Sequence, residues 1–147
     1  MTAASVRPFV RALALTVGLA ACAPAAPPAS VAAPRLLPAD HVDWAPAPAP
    51  AGAQQAVLWG DPQTGPSGIL LRWPGGAVFP LHALTNDSRA FVQSGTLTVR
   101  YGGGEAVALG AGSFMSLPAR LPHEATCLTG AACTFYVEHA GKFEFAH

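Results

Sequence analysis

The chain has 147 residues, with eight basic and eight acidic side chains and a formal net charge of zero, which fits one domain. Lys142 is the only lysine and no basic run is present, so the charge pattern excludes a nucleic-acid-binding surface. Hydrophobic residues make up 51% of the chain; much of this is alanine before Ala53, and the larger apolar residues that follow suffice for one compact core.

The amino end has the pattern of an export signal. Arg7 and Arg11 form a positive region, and residues 12–21 form an apolar stretch that is too short to span a bilayer about 30 Å thick. The run Leu19-Ala20-Ala21-Cys22 resembles the bacterial lipobox. That resemblance implies that residues 1–21 are a lipoprotein signal peptide and that the Cys22 thiol is lipidated. The alternative is an ordinary signal peptide with a chance cysteine nearby.

Ala23 follows the cysteine, where an aspartate would retain a lipoprotein at the inner membrane. The resemblance therefore implies an exported protein on the periplasmic face of the envelope, with the outer membrane favoured. On this interpretation the lipid anchor is its only contact with a membrane.

A flexible tether is predicted after the signal. The chain from residue 23 to residue 53 is dominated by alanine and proline and should be extended and mobile, because such a segment buries too little apolar surface to offset its ordering entropy. Residues 36–44 interrupt it with larger side chains, which could dock on the domain as an edge segment. We therefore predict a tether over residues 22–34 and a domain over residues 35–147.

Short apolar runs separated by Gly, Pro, Asn and Asp follow residue 54. No stretch has a helical period with caps. Regular short strands with turn signals predict an all-β sandwich or barrel. The predicted strands are 56–59, 68–73, 89–93, 96–101, 106–109, 113–117, 123–127 and 133–139.

Cys127 and Cys133 flank the predicted turn between the last two long strands. Export places them in an oxidising compartment, so a disulfide across this hairpin is predicted. A metal site formed by both cysteines and His123 is the alternative.

Two histidines lie in similar settings of glycine and proline. In the first, Gly76 and Gly95 enclose a stretch in which His82 stands six residues after Gly76. In the second, Gly112 and Pro118 precede His123. These spacings resemble the two motifs of the cupin superfamily, G-x5-H-x-H-x3,4-E-x6-G and G-x5-P-x-G-x2-H-x3-N. The resemblance implies an all-β fold with a single cupin-type jelly-roll barrel, also called a double-stranded β-helix, of the small bacterial type.

The metal motif is degenerate. Leu84 holds the second histidine position, Ser88 the glutamate position, Arg120 the second-motif glycine and Cys127 the asparagine. Because side chains two residues apart on a strand point to the same face, Leu84 should form an apolar wall beside His82.

A divalent metal, the cofactor that the family implies, needs at least three protein ligands, and His82 and His123 supply two. The candidates for a third ligand lack the family spacing; they are His41, Asp87, Glu124, Glu138 and His139. The two histidines are predicted as pocket groups for hydrogen bonding or acid–base chemistry, as metal ligands in the alternative, or as satisfied core or rim residues.

Arg89, which takes the glutamate position by the longer spacing, begins a strand at the mouth of the supposed barrel. A guanidinium there must be paired with a carboxylate such as Glu138 or with an anionic ligand, unless it faces solvent. The aromatic residues are expected in the core, with pocket lining second: Phe79, Phe91, Phe114, Phe135 and Tyr136. The predicted pocket is His82, Leu84, Ser88, Arg89, His123 and Tyr136.

Three functions remain open at this stage. The first is a binding or sensory module that takes an unidentified small molecule without a metal. The second is a metal-dependent oxygenase, isomerase or lyase of the cupin kind that uses His82 and His123. The third is a structural envelope lipoprotein. Cupins often dimerise, so the resemblance also allows a homodimer.

Overall fold

The computed structural model describes residues 34–146. The predicted signal peptide, Cys22 and most of the predicted tether lie outside these residues. A compact unit begins at Leu36 and runs to the end of the chain. Within the described range, no helix has the length and apolar character needed to cross a membrane.

Two antiparallel sheets form the described part of the chain. The larger sheet has the strand order β1-β2-β3-β10-β5-β8, and the smaller has the order β4-β9-β6-β7. A short 3-10 helix over Ala39–His41 precedes them. The strands are β1 (Ala45–Pro46), β2 (Gln54–Gly60), β3 (Ser67–Trp73), β4 (Val78–His82), β5 (Ser88–Ser94), β6 (Leu97–Tyr101), β7 (Val107–Leu109), β8 (Phe114–Leu117), β9 (His123–Cys127) and β10 (Cys133–His139).

This architecture confirms the all-β prediction and is consistent with the cupin jelly roll, although neither sheet closes on itself. Each of the eight predicted strands is present, with small shifts at some ends. β1 and β4 were absent from the prediction. β4 contains Pro80 and has a register shift between Phe79 and His82 where it pairs with β9. Because proline cannot donate to a ladder, it weakens the strand signal and is tolerated here at a sheet edge.

The core lies between the sheets and follows the two-residue period of the strands. On β10, Cys133, Phe135, Val137 and His139 are buried, and the residues between them are only partly covered. Trp73 fills the centre, with its ring in edge contact with Phe135 at a centroid distance of 5.0 Å.

Three of the aromatic residues expected in the core are outside it, namely Phe91, Phe114 and Tyr136. Phe91 and Phe114 are 48% and 58% exposed. They are register partners on β5 and β8. The even-numbered neighbours of Phe91, Ala90 and Val92, take the inward positions of β5, which leaves the odd-numbered ones outside.

The amino-terminal segment packs on the domain from Trp44 onward. The guanidinium carbon of Arg72 lies 4.0 Å from the Trp44 ring centroid, a cation–π contact. β1 pairs with β2, and Ala53 is buried in the core. Leu36, in contrast, is 90% exposed. Backbone pairing and burial of small side chains thus hold residues 45–53, which lie within the predicted domain range 35–147.

The structure joins Cys127 and Cys133 in a disulfide. The two residues do not form the predicted hairpin, because β9 and β10 belong to different sheets. The bond therefore links the sheets at one end of the sandwich, with both cysteines fully buried. Since the sulfurs are bonded to each other, they are not thiolates, and the alternative metal site with His123 does not fit this structure.

Candidate functional site

An imidazole pair is the centre of the candidate site. His82 at the end of β4 and His123 at the start of β9 are register partners, with ring centroids 4.2 Å apart. The His82 ring stacks on Phe79 with a centroid distance of 3.9 Å. His123 is 6% exposed. The pairing of β4 with β9 thus brings together two histidines that are far apart in sequence.

The hydrogen bonds of the pair define which ring nitrogen is available. His82 Nδ1 lies 2.7 Å from the Pro80 carbonyl oxygen, and His123 Nδ1 lies 2.9 Å from the Leu121 carbonyl oxygen. A carbonyl only accepts, so each Nδ1 must donate. In the neutral imidazole this leaves Nε2 as an acceptor with a free lone pair. Neither Nε2 has a hydrogen-bond partner among residues 34–146.

Burial lowers the pKa of His82 below its ordinary value. The bond to the Pro80 carbonyl acts in the opposite direction, and proximity to His123 lowers the pKa further. Burial dominates because the charged imidazolium loses its hydration. His82 is therefore a neutral hydrogen-bonding group at neutral pH.

Both histidines line a cavity of about 190 Å³ between the two sheets. Most of its surface is apolar and comes from both sheets, for example Leu71, Trp73, Leu97, Val99, Phe135 and Val137. The indole Nε1 of Trp73 is buried with no acceptor among the described residues. The cavity is thus a hydrophobic space with a few polar groups, the usual composition of a small-molecule site.

Segments near both ends of the compact unit contribute to the cavity lining. Residues 47–49 line the cavity from the amino-terminal side, and Phe143 and Phe145 line it from the carboxyl-terminal side. Phe145 contacts His82 edge to face at a centroid distance of 5.8 Å. The final segment is held by backbone bonds, among them Phe143 N–H to the Pro62 carbonyl at 2.8 Å.

The donor set around the pair does not fit a metal. Leu84 is buried and lines the cavity where a third ligand would stand. Among residues 34–146 no group of three His, Cys, Asp or Glu side chains is close enough to hold an ion. Two imidazoles fall short of the three ligands that a catalytic metal requires.

The predicted third ligands all lie elsewhere or have other partners. Glu124 pairs with Arg100 at 3.4 Å, and Glu138 pairs with Arg89 at 3.7 Å. Asp87 Oδ1 accepts the Ala119 N–H at 2.8 Å. His41 lies beside Asp40 near the amino-terminal end of the described chain. His139 lines the cavity, but its ring contacts Phe143 at a centroid distance of 5.3 Å and is in no metal-binding group.

Five of the six predicted pocket residues border the cavity. Leu84, Ser88 and His123 are buried there, and His82 is partly buried. Arg89 lies at the rim, where its guanidinium pairs with the Glu138 carboxylate on the exposed side of β5 and β10. Tyr136 does not line the cavity.

The prediction for Tyr136 is wrong because of strand parity. Phe135 and Val137 on either side of it are buried, so Tyr136 faces outward. There its hydroxyl accepts a hydrogen bond from Trp59 Nε1 at 2.8 Å.

The sequence interpretation did not place His139 in the pocket, although this residue is 6% exposed and lines the cavity. Burial lowers its pKa. The signal was available, because His139 is six residues after Cys133 and so shares the inward face of β10. Phe143 and Phe145 follow the last strand, and no local pattern indicated their position.

The two facing antiparallel sheets are consistent with a cupin jelly roll. The chain belongs to the ChrR cupin-like domain family, whose model matches residues 33–142. No curated protein matches the sequence.

Solved structures give the same fold at low identity. KdgF from Halomonas sp. is 20% identical with a TM-score of 0.60, over 72% of this chain and 94% of that one. The polyketide cyclase RemF from Streptomyces resistomycificus is 15% identical with a TM-score of 0.65, over 78% and 88%. A chain in the complex of Rhodobacter sphaeroides SigE with the anti-sigma ChrR is 23% identical with a TM-score of 0.54, over 69% of this chain and 51% of that one. At these identities the likeness establishes the fold alone.

Proposed function

We propose that this chain is a small-molecule-binding cupin whose ligand occupies the apolar cavity between the sheets and whose binding does not depend on a metal. The observation that carries the proposal is the cavity itself, which holds two imidazoles with free Nε2 acceptors and an apolar wall at Leu84. A cavity of about 190 Å³ is somewhat larger than an engineered one of about 150 Å³ that binds benzene. A ligand of one ring or similar bulk therefore fits.

Toluene is the simplest probe of this proposal, because it tests the apolar volume without polar contacts. The full chain should melt at a higher temperature as toluene is added, since a ligand that binds only the folded state stabilises it by RT ln(1 + [L]/Kd). Ala90 lines the cavity, so Ala90→Leu should remove the effect by filling the space. Ala108→Leu makes the same change at an exposed position of β7, and this variant should still be stabilised by toluene. Equal melting curves with and without toluene would contradict the proposal and favour a structural lipoprotein.

A metal-dependent cupin enzyme is the second candidate, and one observation favours it. Fixing each imidazole through an Nδ1–H bond to a backbone carbonyl is how metal-binding histidines are commonly oriented. Elemental analysis of protein purified without chelator separates the two functions. Stoichiometric metal in the wild-type chain, absent from a His82→Ala, His123→Ala double variant, would support the enzyme and contradict a metal-independent pocket.

We further propose that the domain is exported and lipid-anchored through Cys22. The lipobox-like run before this cysteine and the disulfide in the domain support the proposal, because structural disulfides persist in oxidising compartments. Labelling with a radioactive fatty acid in a bacterial host should mark the wild-type chain in the membrane fraction and leave Cys22→Ser unlabelled. Equal labelling of both, or none in the wild type, would contradict the anchor.

A further inference from the structure

We propose that the cavity selects an uncharged, compact molecule carrying a hydroxyl group, such as a phenol, which donates its hydrogen bond to Nε2 of His82 or His123. This inference rests on the proposed binding function and names the chemical class of its ligand.

The pair presents acceptors without a donor. Both Nδ1 atoms donate to backbone carbonyls, so both Nε2 lone pairs remain unpaired among the described residues. The rings are 4.2 Å apart between centroids, and two acceptors cannot bond each other. A ligand that covers these acceptors removes them from water, so a ligand that brings a donor gains more than its apolar contacts. A hydroxyl supplies that donor on a small neutral molecule.

The charges around the cavity exclude an ionic ligand. Within the described part of the chain, Arg89 is the only permanently charged residue that lines it, and its guanidinium pairs with Glu138 at 3.7 Å. No Asp or Glu lines the cavity among residues 34–146, so an ammonium ligand has no counter-ion. A cation would lose its hydration on entering and find no opposite charge, and an anion would have to compete with Glu138 for the Arg89 guanidinium. The selected molecule is therefore neutral.

The remaining surface fits a ring. Phe79 stacks on His82 at a centroid distance of 3.9 Å, and Phe145 contacts the same imidazole edge to face at 5.8 Å. Trp73 and Phe135 close the inner part of the cavity, with edge contacts between their rings. Such surfaces favour an aromatic or similarly flat ligand body, with its hydroxyl toward the pair.

Four probes of similar size test the inference by calorimetric titration of the full chain at pH 7.5. Phenol donates and accepts a hydrogen bond, anisole only accepts, toluene does neither, and benzoate is an anion. We expect phenol to bind about three- to tenfold more tightly than toluene, the range that one net hydrogen bond gives. Phenol should also bind more tightly than anisole, which has no hydroxyl donor, and benzoate should bind weakest.

A variant separates the acceptor from the shape of the site. His123→Phe keeps a ring and removes one Nε2 acceptor, and His82→Phe added to it removes the other. In this double variant phenol should lose its advantage over toluene while toluene binding persists. His41→Phe makes the same change at an exposed histidine outside the cavity and should leave the ratio unchanged. If the double variant fails to fold, the comparison of phenol with anisole on the wild-type chain still decides.

The outcomes distinguish the two proposals. Equal affinities for phenol, anisole and toluene would overturn the hydroxyl selection and leave the apolar binding site standing. Tightest binding of benzoate would overturn the selection of a neutral ligand. No binding of any probe would overturn the binding function, and the inference with it.

Discussion

Reducing the disulfide between Cys127 and Cys133 should lower the melting temperature of the domain substantially. The cysteines are six residues apart in sequence, and the loop-entropy model gives about 2 kcal/mol for closing so short a loop. Unfolding entropy near 2.1 cal/mol/K per residue gives roughly 0.23 kcal/mol per kelvin for a unit of this size, so the shift should be roughly 8–10 °C. Because the bond links the two sheets, its loss should also loosen their packing.

Differential scanning calorimetry with and without a phosphine reductant measures this shift. The scans should use the Cys22→Ser chain, in which Cys127 and Cys133 are the only cysteines. A matched Cys127→Ala, Cys133→Ala variant should melt at a lower temperature, and the reductant should not change that temperature. A shift below about 2 °C in the Cys22→Ser chain, with two free thiols shown by titration, would refute the loop-entropy reasoning.

Three further predictions follow from the site and its turns. Leu84→His should create a zinc site by adding a third imidazole beside the pair, and calorimetry should show one-to-one zinc binding. Leu81→His, at an exposed position, should bind no zinc. Equal zinc binding by both variants would contradict the cavity position of Leu84. Arg120→Gly should raise stability in urea by up to about 1 kcal/mol, since a side chain at φ 62 is strained and glycine is not; a loss of stability would contradict this. The free energy of unfolding should fall as pH drops below about 6.5, because burial lowers the pKa of His82 and His139 and the unfolded chain takes up protons that the folded chain does not. His139→Gln should weaken this pH dependence. A urea midpoint that stays constant from pH 7.5 to 5 would contradict the prediction.

The fold was predictable because strand length, turn residues and motif spacing agree with one another. The glycines with positive φ show why: Gly76, Gly95 and Gly112 take left-handed conformations at the turns where the motifs require them. Arg120 adopts φ 62 at the position where the motif has glycine, so the backbone keeps the family conformation although the residue does not. Turn geometry is local and therefore readable from sequence.

The site was only partly predictable because its walls come from distant segments. The two-residue period of a strand predicts that Leu84 lies on the same face as His82, and both residues line the cavity. Tyr136 was predicted in the pocket, but the parity of its strand, which the buried neighbours Phe135 and Val137 define, places it on the outward face. Phe143 and Phe145 lie in a segment without periodic pattern, and their positions depend on backbone bonds to residues more than fifty positions away.

We expect a ligand to leave the cavity through its carboxyl-terminal wall. Residues 143–146 are held by the Phe143 N–H to the Pro62 carbonyl at 2.8 Å, by the Thr85 N–H to the Glu144 carbonyl at 3.0 Å and by the Ala146 N–H to the Ala83 carbonyl at 2.8 Å. Each such bond has a net worth of about 1 kcal/mol, so releasing this segment costs far less than separating the sheets. A bound molecule can therefore exchange with solvent through local opening, and the amide hydrogens of these residues should exchange more slowly when the cavity is filled.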